Sequence, residues 1–418
     1  MMTQAFYTGI SGLKAQQTAI DVVSDNLANT STIGYRGYSS EFSNMFEEMI
    51  VTQSGSSTVN SSIGVGSKLN SVVMDEHQGV IQLTGLTTDL AIMGDGWFGI
   101  QGDKDPLYTR DGSFTFDSER SLVTNDGYYV LGTMGTNINE GVLTGQLAET
   151  PLGDVSAQEK LRFPDTLLVS VEPTTTASFT GNLGTEDAVR TISAGVLDSQ
   201  GNRNNLRLEF SQTIPQPATG TGWDVTATVE SLDGLTTYSS QSATMLFTEM
   251  GDLQSTTLSS IDNNGTSVGI DFGTGFDGLL SNANPFSSSS SADGLESGEL
   301  LGYDINKNGQ VLATFTNGVQ SSVGQVAVFH FQNDRGLERV NGARFTESKN
   351  SGNAIFFKDA DGNNIIGTDI TNKNLEGSNV RMEAGLTDLI VLQRAFDANS
   401  KSITTADQML QKALDMGA

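Results

Sequence analysis

The sequence predicts a mainly β protein with α-helical termini, and three observations carry that expectation. Apolar residues recur every seven positions at both ends of the chain. Asp-Gly and Asn-Gly pairs punctuate the middle. The segments between those pairs alternate apolar and polar residues with period two.

At the N-terminus, Phe6, Leu13, Ile20 and Leu27 are seven apart, with Ile10 and Val23 close to the same face. No Gly or Pro falls between Leu13 and Leu27. At the C-terminus, Leu389, Phe396, Ile403 and Leu410 repeat the device, and Leu386 and Leu414 extend it. This spacing puts a narrow apolar seam along one side of a helix, as in a coiled coil. A single helix of about four heptads is marginal in water, but two such seams can cover each other. Polar residues in the stripes, among them Gln17, Ser24, Gln393 and Ser400, weaken an isolated pair and favour burial among further copies. The expectation is a terminal helix pair that finishes folding on assembly, its seam residues being the candidate self-assembly positions. Two amphipathic helices packed on a globular core are the plainer alternative.

Residues 31–75 are rich in Ser, Thr, Asn and Gly, as in Thr52-Gln53-Ser54-Gly55-Ser56-Ser57 and Gly64-Val65-Gly66. Such a composition predicts an extended or flexible connector. From about Glu76 the pattern turns to β. Asp-Gly pairs at 95–96, 111–112, 126–127, 233–234, 277–278 and 361–362 supply hairpin chemistry. Leu206, Leu208 and Phe210 alternate with Arg207 and Glu209, and Trp223, Val225, Ala227 and Val229 alternate with polar partners. Val326, Val328 and His330 share one strand face while Ala327, Phe329 and Phe331 share the other. The expected organisation is nested. Residues 1–30 with 385–418 form the helical unit, and 76–150 with 325–384 form a first β-domain of sandwich or barrel type. Residues 151–324 form an inserted outer β-domain with a flexible run at Phe286–Ser291.

The 418-residue length suggests two to four domains. A formal charge of −27, from 49 acidic against 22 basic residues, argues against nucleic acid and anionic membranes as partners. It also makes copies repel, so any assembly must rest on apolar burial. The absence of cysteine excludes disulfides, thiol catalysis and Cys-based zinc sites. No run approaches the roughly 20 apolar residues of a membrane span, and so no membrane insertion is expected. Met1–Leu13 lacks the basic and apolar regions of a cleaved signal.

Motifs that suggest chemistry reduce to turns. Asp304-Ile305-Asn306-Lys307-Asn308-Gly309 copies half of a calcium loop, yet Phe315 stands where the bidentate Glu belongs. Asp359-Ala360-Asp361-Gly362-Asn363 reads the same way. Gly94-Asp95-Gly96 and Gly64-Val65-Gly66 lack the pattern of a nucleotide site. His77 and His330, the only histidines, have no nucleophile motif beside them. No catalytic, cofactor or metal-ligating residue is expected.

Four segments resemble the bacterial flagellar rod and hook proteins. Tyr7-Thr8-Gly9-Ile10-Ser11-Gly12-Leu13, followed by Asn26-Leu27-Ala28-Asn29-Thr30 and Gly34-Tyr35-Arg36, is similar to that family's N-terminal motif. Leu90–Phe98, containing Asp95, Gly96 and Phe98, is similar to its shared β-domain motif, which Tyr108–Phe114 continues with Arg110, Asp111 and Gly112. Asn125–Gly132 and the C-terminal Gln393–Leu410 complete the set. Asn308–Leu337 also looks like a return into the first β-domain, and the large insert resembles the hook members more than the short rod members. The resemblance implies a structural subunit, not an enzyme, that polymerises with itself into a curved, flexible tube transmitting torque from motor to filament. It further implies export through the flagellar type III apparatus without signal cleavage. The implied partners are a hook cap, the distal rod and hook–filament junction proteins. A distal-rod or hook-associated protein, or a secreted β-rich adhesin, is the alternative reading.

Overall fold

The computed structural model describes residues 2–45, 47–54, 57–64 and 66–416. Helix α1 spans Met2–Ala28 and helix α2 spans Met382–Asp415. They run antiparallel, with Gly9 beside Ile403, Gly12 beside Asn399 and Leu27 beside Gly385. The residues buried at this contact are small: Gly9, Gly12, Ala15 and Ala19 on α1, and Ala406 on α2. A Cβ on Gly12 would lie 2.7 Å from Asn399 Nδ2, so the helices meet where side chains are missing. Interaxial distance follows the residues at the contact, and this one is close. The heptad residues Phe6, Leu13, Ile20, Leu27, Leu389, Phe396, Ile403 and Leu410 are half-buried, and Ile403 and Leu27 rest on the glycines of the opposite helix. Ile10, Leu386 and Leu414 are exposed.

The segment expected to be an extended or flexible connector is extended and carries a regular ladder. Tyr38–Asn44 pairs antiparallel with Ser67–Met74, and Glu47–Ser54 pairs with Ser57–Gly64. The ladder packs on α1, where Gly66 abuts Ser11 and Thr8. Along Ser67–Met74 half-buried and exposed residues alternate, with Leu69 and Val73 turned inward. Backbone pairing needs no apolar composition, and one face resting on a helix suffices to hold it. Gly55, Ser56 and Val65, parts of the stretches read as flexible, lie outside the described residues.

The β body contains three apolar cores. One is lined by Leu90, Phe98, Phe114, Leu161, Phe163, Val311, Phe315 and Val326. Across it lies an eight-stranded sheet that includes Gly298–Ile305, Gln310–Phe315, Gln320–Val326 and Leu131–Met134 as neighbours. The next core holds Trp97, Tyr108, Phe329, Phe345 and Phe356 under a sheet ordered Val328–Phe329, Trp97–Ile100, Leu107–Thr109, Arg344–Thr346, Glu338–Asn341. Val326 and Val328 point into the first core while Ala327 and Phe329 point into the second. The chain thus passes from one sheet to the other with both faces buried.

The outermost core is a sandwich of two five-stranded sheets, with Leu206, Leu208, Phe210, Trp223, Val225 and Val229 fully buried in the expected alternation. Its members run from Ala177 to Leu279. The independent outer unit is consequently narrower than 151–324. Leu161, Phe163, Val169, Ile305 and Val311 join the first core, and the strands carrying Val169, Ile305 and Val311 join its sheet. The serine run expected to be flexible is a strand, Ser287–Ala292, paired antiparallel with Thr176–Asn182. The calcium-like loops are turns: Asp359 Oδ1 accepts from the amides of Asp361 and Asn363 (3.0 and 2.8 Å), and Asn306 Oδ1 accepts from those of Asn308 and Gln310.

Candidate functional site: the joint between the helix pair and the β body

Both chain ends enter the body at one place, where buried ionic and hydrogen-bonding side chains meet. The joint begins where α1 stops. Asn26 presents an acceptor and a donor together. Its Oδ1 accepts from Tyr38 N at 2.9 Å and its Nδ2 donates to Tyr38 O at 2.7 Å, completing the first rung of the ladder that leaves the helix. Asn29 Nδ2 donates to Asp25 O at 2.8 Å, satisfying a carbonyl at the helix end. Gly34 then turns with φ +65°, a left-handed conformation that glycine adopts without strain. A Cβ there would stand 2.4 Å from Asp111 N, so the turn lies directly on the Arg110–Asp111 backbone. Gly112 is equally constrained, because a Cβ on it would meet Leu90 O at 1.9 Å.

The centre is ionic. Glu376, on the strand that returns toward α2, receives Arg36 at 3.0 Å on one oxygen and Arg110 at 3.2 Å on the other. All three side chains are at most 3% exposed. Gly79 N donates to the Arg36-facing oxygen, and Arg36 donates to the carbonyls of Glu76 and His77. Arg110 lies over the Trp97 ring at 5.3 Å. Burial, followed by the charge of Arg36, pushes the Arg110 guanidinium down to about 10. Two cations share one carboxylate out of water, and each of the three is costly to leave without the others.

A second, more exposed cluster ties α1 to the hairpin 338–346. Arg339 donates to Asp25 at 2.9 Å and lies over the rings of Tyr35 and Tyr38 at 5.2 and 5.6 Å. Tyr35 donates its hydroxyl to Asp25 at 3.1 Å. Burial and the Asp25 charge push the Tyr35 phenol up to about 12. Burial works to raise Asp25, but Arg339 and the Tyr35 hydroxyl outweigh it and hold the carboxyl below its usual value. Asn379 closes the joint, accepting from Gly37 N at 2.8 Å and donating to the carbonyls of Asp75 and His77, both at 2.9 Å.

Asn26, Asn29, Gly34, Tyr35, Arg110, Asp111 and Gly112 thus meet in one structure. Asp111 braces its own turn by accepting from Ser113 N and Oγ, and burial raises its carboxyl. Phe98 lies deeper, fully buried and edge-on to Phe114 at 5.1 Å. Gly96 packs on Val328, and Asp95 is exposed on the turn beside it. His330 is buried, its Nε2 2.6 Å from Ile366 O, whereas His77 is exposed. Sequence reasoning missed Asp25, Arg339, Glu376 and Asn379, and for the small residues of α1 it weighed the large apolar spacing instead of the Gly9, Gly12, Ala15, Ala19 series.

Comparison with known proteins places this joint in a family. Residues 6–36 match the family described as flagella basal body rod protein, residues 91–157 the flagellar hook protein FlgE/F/G D1 domain, and residues 371–416 the flagellar basal body rod FlgEFG protein C-terminal region. Asn26, Arg36, Arg110, Glu376 and Asn379 fall within these matches, whereas Asp75–Gly79 and Arg339 lie outside them. The flagellar hook protein FlgE of Borreliella burgdorferi is 29% identical over 457 residues, covering 98% of this chain and 99% of that protein. That of Salmonella typhimurium is 27% identical over 436 residues, covering 99% and 100%. The chain belongs to the flagellar rod and hook protein family. Among solved structures, the flagellar hook protein FlgE2 of Helicobacter pylori shares the fold with a TM-score of 0.56 at 15% identity, covering 71% of this chain and 100% of that one. Members of this family are structural proteins of the flagellum.

Proposed function

We propose that this chain is the structural subunit of a flagellar hook, polymerising head to tail into a curved tube that passes torque from the motor rod to the filament. The observation that supports this most directly is the end-to-end match to hook proteins, which leaves neither the helical ends nor the outer sandwich unaccounted for. In this reading the helical unit of residues 1–30 and 385–418 forms the inner layer and the β units face outward. Stiffness in torsion comes from the helix layer and from the buried Arg36–Glu376–Arg110 joint that ties it to the body. Compliance in bending comes from polar β surfaces that slide past one another. Export through the flagellar type III apparatus, growth beneath a hook cap, and contacts with the distal rod and the hook–filament junction follow from the same assignment. The test is electron microscopy of a strain lacking this chain. Rods without hooks support the assignment, and loss of the distal rod or intact hooks would refute it.

A further inference from the structure

Asn-Gly pairs stand in this chain at 264–265, 308–309, 317–318 and 341–342. The pair is chemically labile, because a glycine nitrogen, with no Cβ beside it, reaches the side-chain carbonyl of the asparagine before it. In the first three pairs that nitrogen is occupied. Gly265 N donates to Asp262 Oδ2 at 3.3 Å, Gly309 N to Asn306 O at 3.1 Å and Gly318 N to Phe315 O at 3.0 Å. Two of the asparagines are held as well: Asn264 Nδ2 donates to Asp198 at 2.8 Å, and Asn317 Nδ2 donates to Glu296 O at 2.7 Å. Asn341-Gly342 differs. It is exposed at the tip of the hairpin formed by Glu338–Asn341 and Arg344–Thr346. Among the described residues, nothing accepts from Gly342 N and nothing hydrogen-bonds the Asn341 side chain. Apart from its chain neighbours, a Cβ on Gly342 would meet only Arg344 Nη2, at 3.9 Å, so the turn is open.

We propose that Asn341 is a modification site, deamidated by its own turn to aspartate or isoaspartate. Gly342 N gives its proton to water, and its lone pair bonds to Asn341 Cγ. The Cγ–Nδ2 bond breaks, the departing nitrogen takes up a proton and leaves as ammonia, and a five-membered succinimide remains. Water then opens the ring. Attack at Cγ gives aspartate, and attack at the backbone carbonyl carbon gives isoaspartate, whose chain runs through Cβ and Cγ. One water is consumed and one ammonia released, with nothing oxidised or reduced. Arg344 favours the first step. Taking the proton from Gly342 N spreads negative charge onto Asn341 O, the other end of the same peptide group, and Arg344 Nε donates to that oxygen at 3.3 Å. A cation fixed where charge develops lowers the barrier. Asp126 at 3.4 Å and the Tyr128 ring at 4.5 Å hold the guanidinium in place. The product puts a carboxylate on the turn whose Gly342 carbonyl receives Arg339 Nε at 2.9 Å, and Arg339 is the residue that binds Asp25 at the joint.

Full-length protein is incubated in neutral buffer at physiological temperature for several weeks and sampled by proteolytic peptide mapping. The mass gain of an amide-to-acid change is expected at Asn341 before any other asparagine, as two new peptides, aspartyl and isoaspartyl, resolved by chromatography. In urea the four Asn-Gly pairs react at comparable rates, because the fold is what separates them. This measurement needs no variant to fold. Arg344→Gln slows the gain at least about threefold, the loss of a charge-assisted hydrogen bond to the developing anion, and Arg344→Lys, which keeps the charge, slows it less. Another asparagine reacting first, no gain at Asn341, or the same lead for Asn341 in urea would overturn the site. An Arg344→Gln chain that reacts as fast as the parent, or faster, would overturn the part given to Arg344.

Discussion

Replacing Glu376 by Gln should uncouple the helix pair from the body while leaving the outer sandwich intact. The substitution keeps the side chain's shape and an acceptor for Gly79, but it leaves Arg36 and Arg110 buried without the carboxylate they contact. Removing one partner of a buried ion pair costs about 3–5 kcal/mol, because the survivors remain desolvated. With all three side chains at most 3% exposed, solvent screening offers little relief. With a urea dependence of about 2 kcal/mol per molar, the midpoint of the affected transition falls by on the order of 2 M. The two tryptophans make the assay local. Trp97 lies against Arg110 in the core nearest the joint, and Trp223 lies in the outer sandwich. Urea unfolding is followed by fluorescence in two backgrounds, Trp223→Phe and Trp97→Phe, each with and without Glu376→Gln. The transition reported by Trp97 moves and the one reported by Trp223 stays. If neither moves, the triad contributes no net stability. If both move together, the three cores unfold as one unit and the joint is not a separate element.

Other outcomes follow from the same geometry. Gly12→Leu forces a side chain into Asn399 and separates the helices, costing about 1–3 kcal/mol of helix-pair stability, read as loss of helical circular dichroism on heating. Phe210→Ala opens the outer sandwich at a cost of about 3–5 kcal/mol, read by Trp223 fluorescence, while the transition reported by Trp97 is unchanged. Asp25 has a folded pKa below its unfolded value, so its contribution is present above the ordinary carboxylate range and is lost as pH falls through the lowered value. Asp25→Asn therefore flattens the acid limb of joint stability, measured by Trp97 unfolding across that window. Tyr35 runs the other way, because its folded pKa of about 12 exceeds the ordinary phenol value. Its contribution is lost as pH rises from about 10 toward 12, and Tyr35→Phe removes that alkaline loss.

Much of this architecture was legible because periodicity is a local property. The seven-residue spacing of Leu13, Ile20, Leu389 and Phe396 identifies two helices, and the alternation of Leu206, Leu208 and Phe210 identifies a strand with one buried face. Which core a strand joins is not local. Leu161, Phe163 and Val311 have the same pattern whether they serve the first core or the outer one, so the insert read from the sequence was too wide. The Ser287–Ser291 strand and the ladder at 38–74 were missed for a related reason: their order comes from backbone pairing, which composition does not report. At the joint, Gly34, Tyr35 and Arg110 stood in motifs. Glu376 did not, being one carboxylate among 49 acidic residues whose meaning comes from an arginine 266 positions away. At the helix contact the spacing pointed to Ile403 and Leu27 but not to Gly9 and Gly385, the residues they rest on, because glycine adds nothing to an apolar pattern.

The segment from Gln320 to Phe329, which passes from one sheet to the next with both sides buried, has a mechanical consequence. Any force carried along it is shared at once by the layers above and below, because neither can shift without dragging the same backbone. The two cores on either side of it are therefore tied to each other through one stretch of backbone.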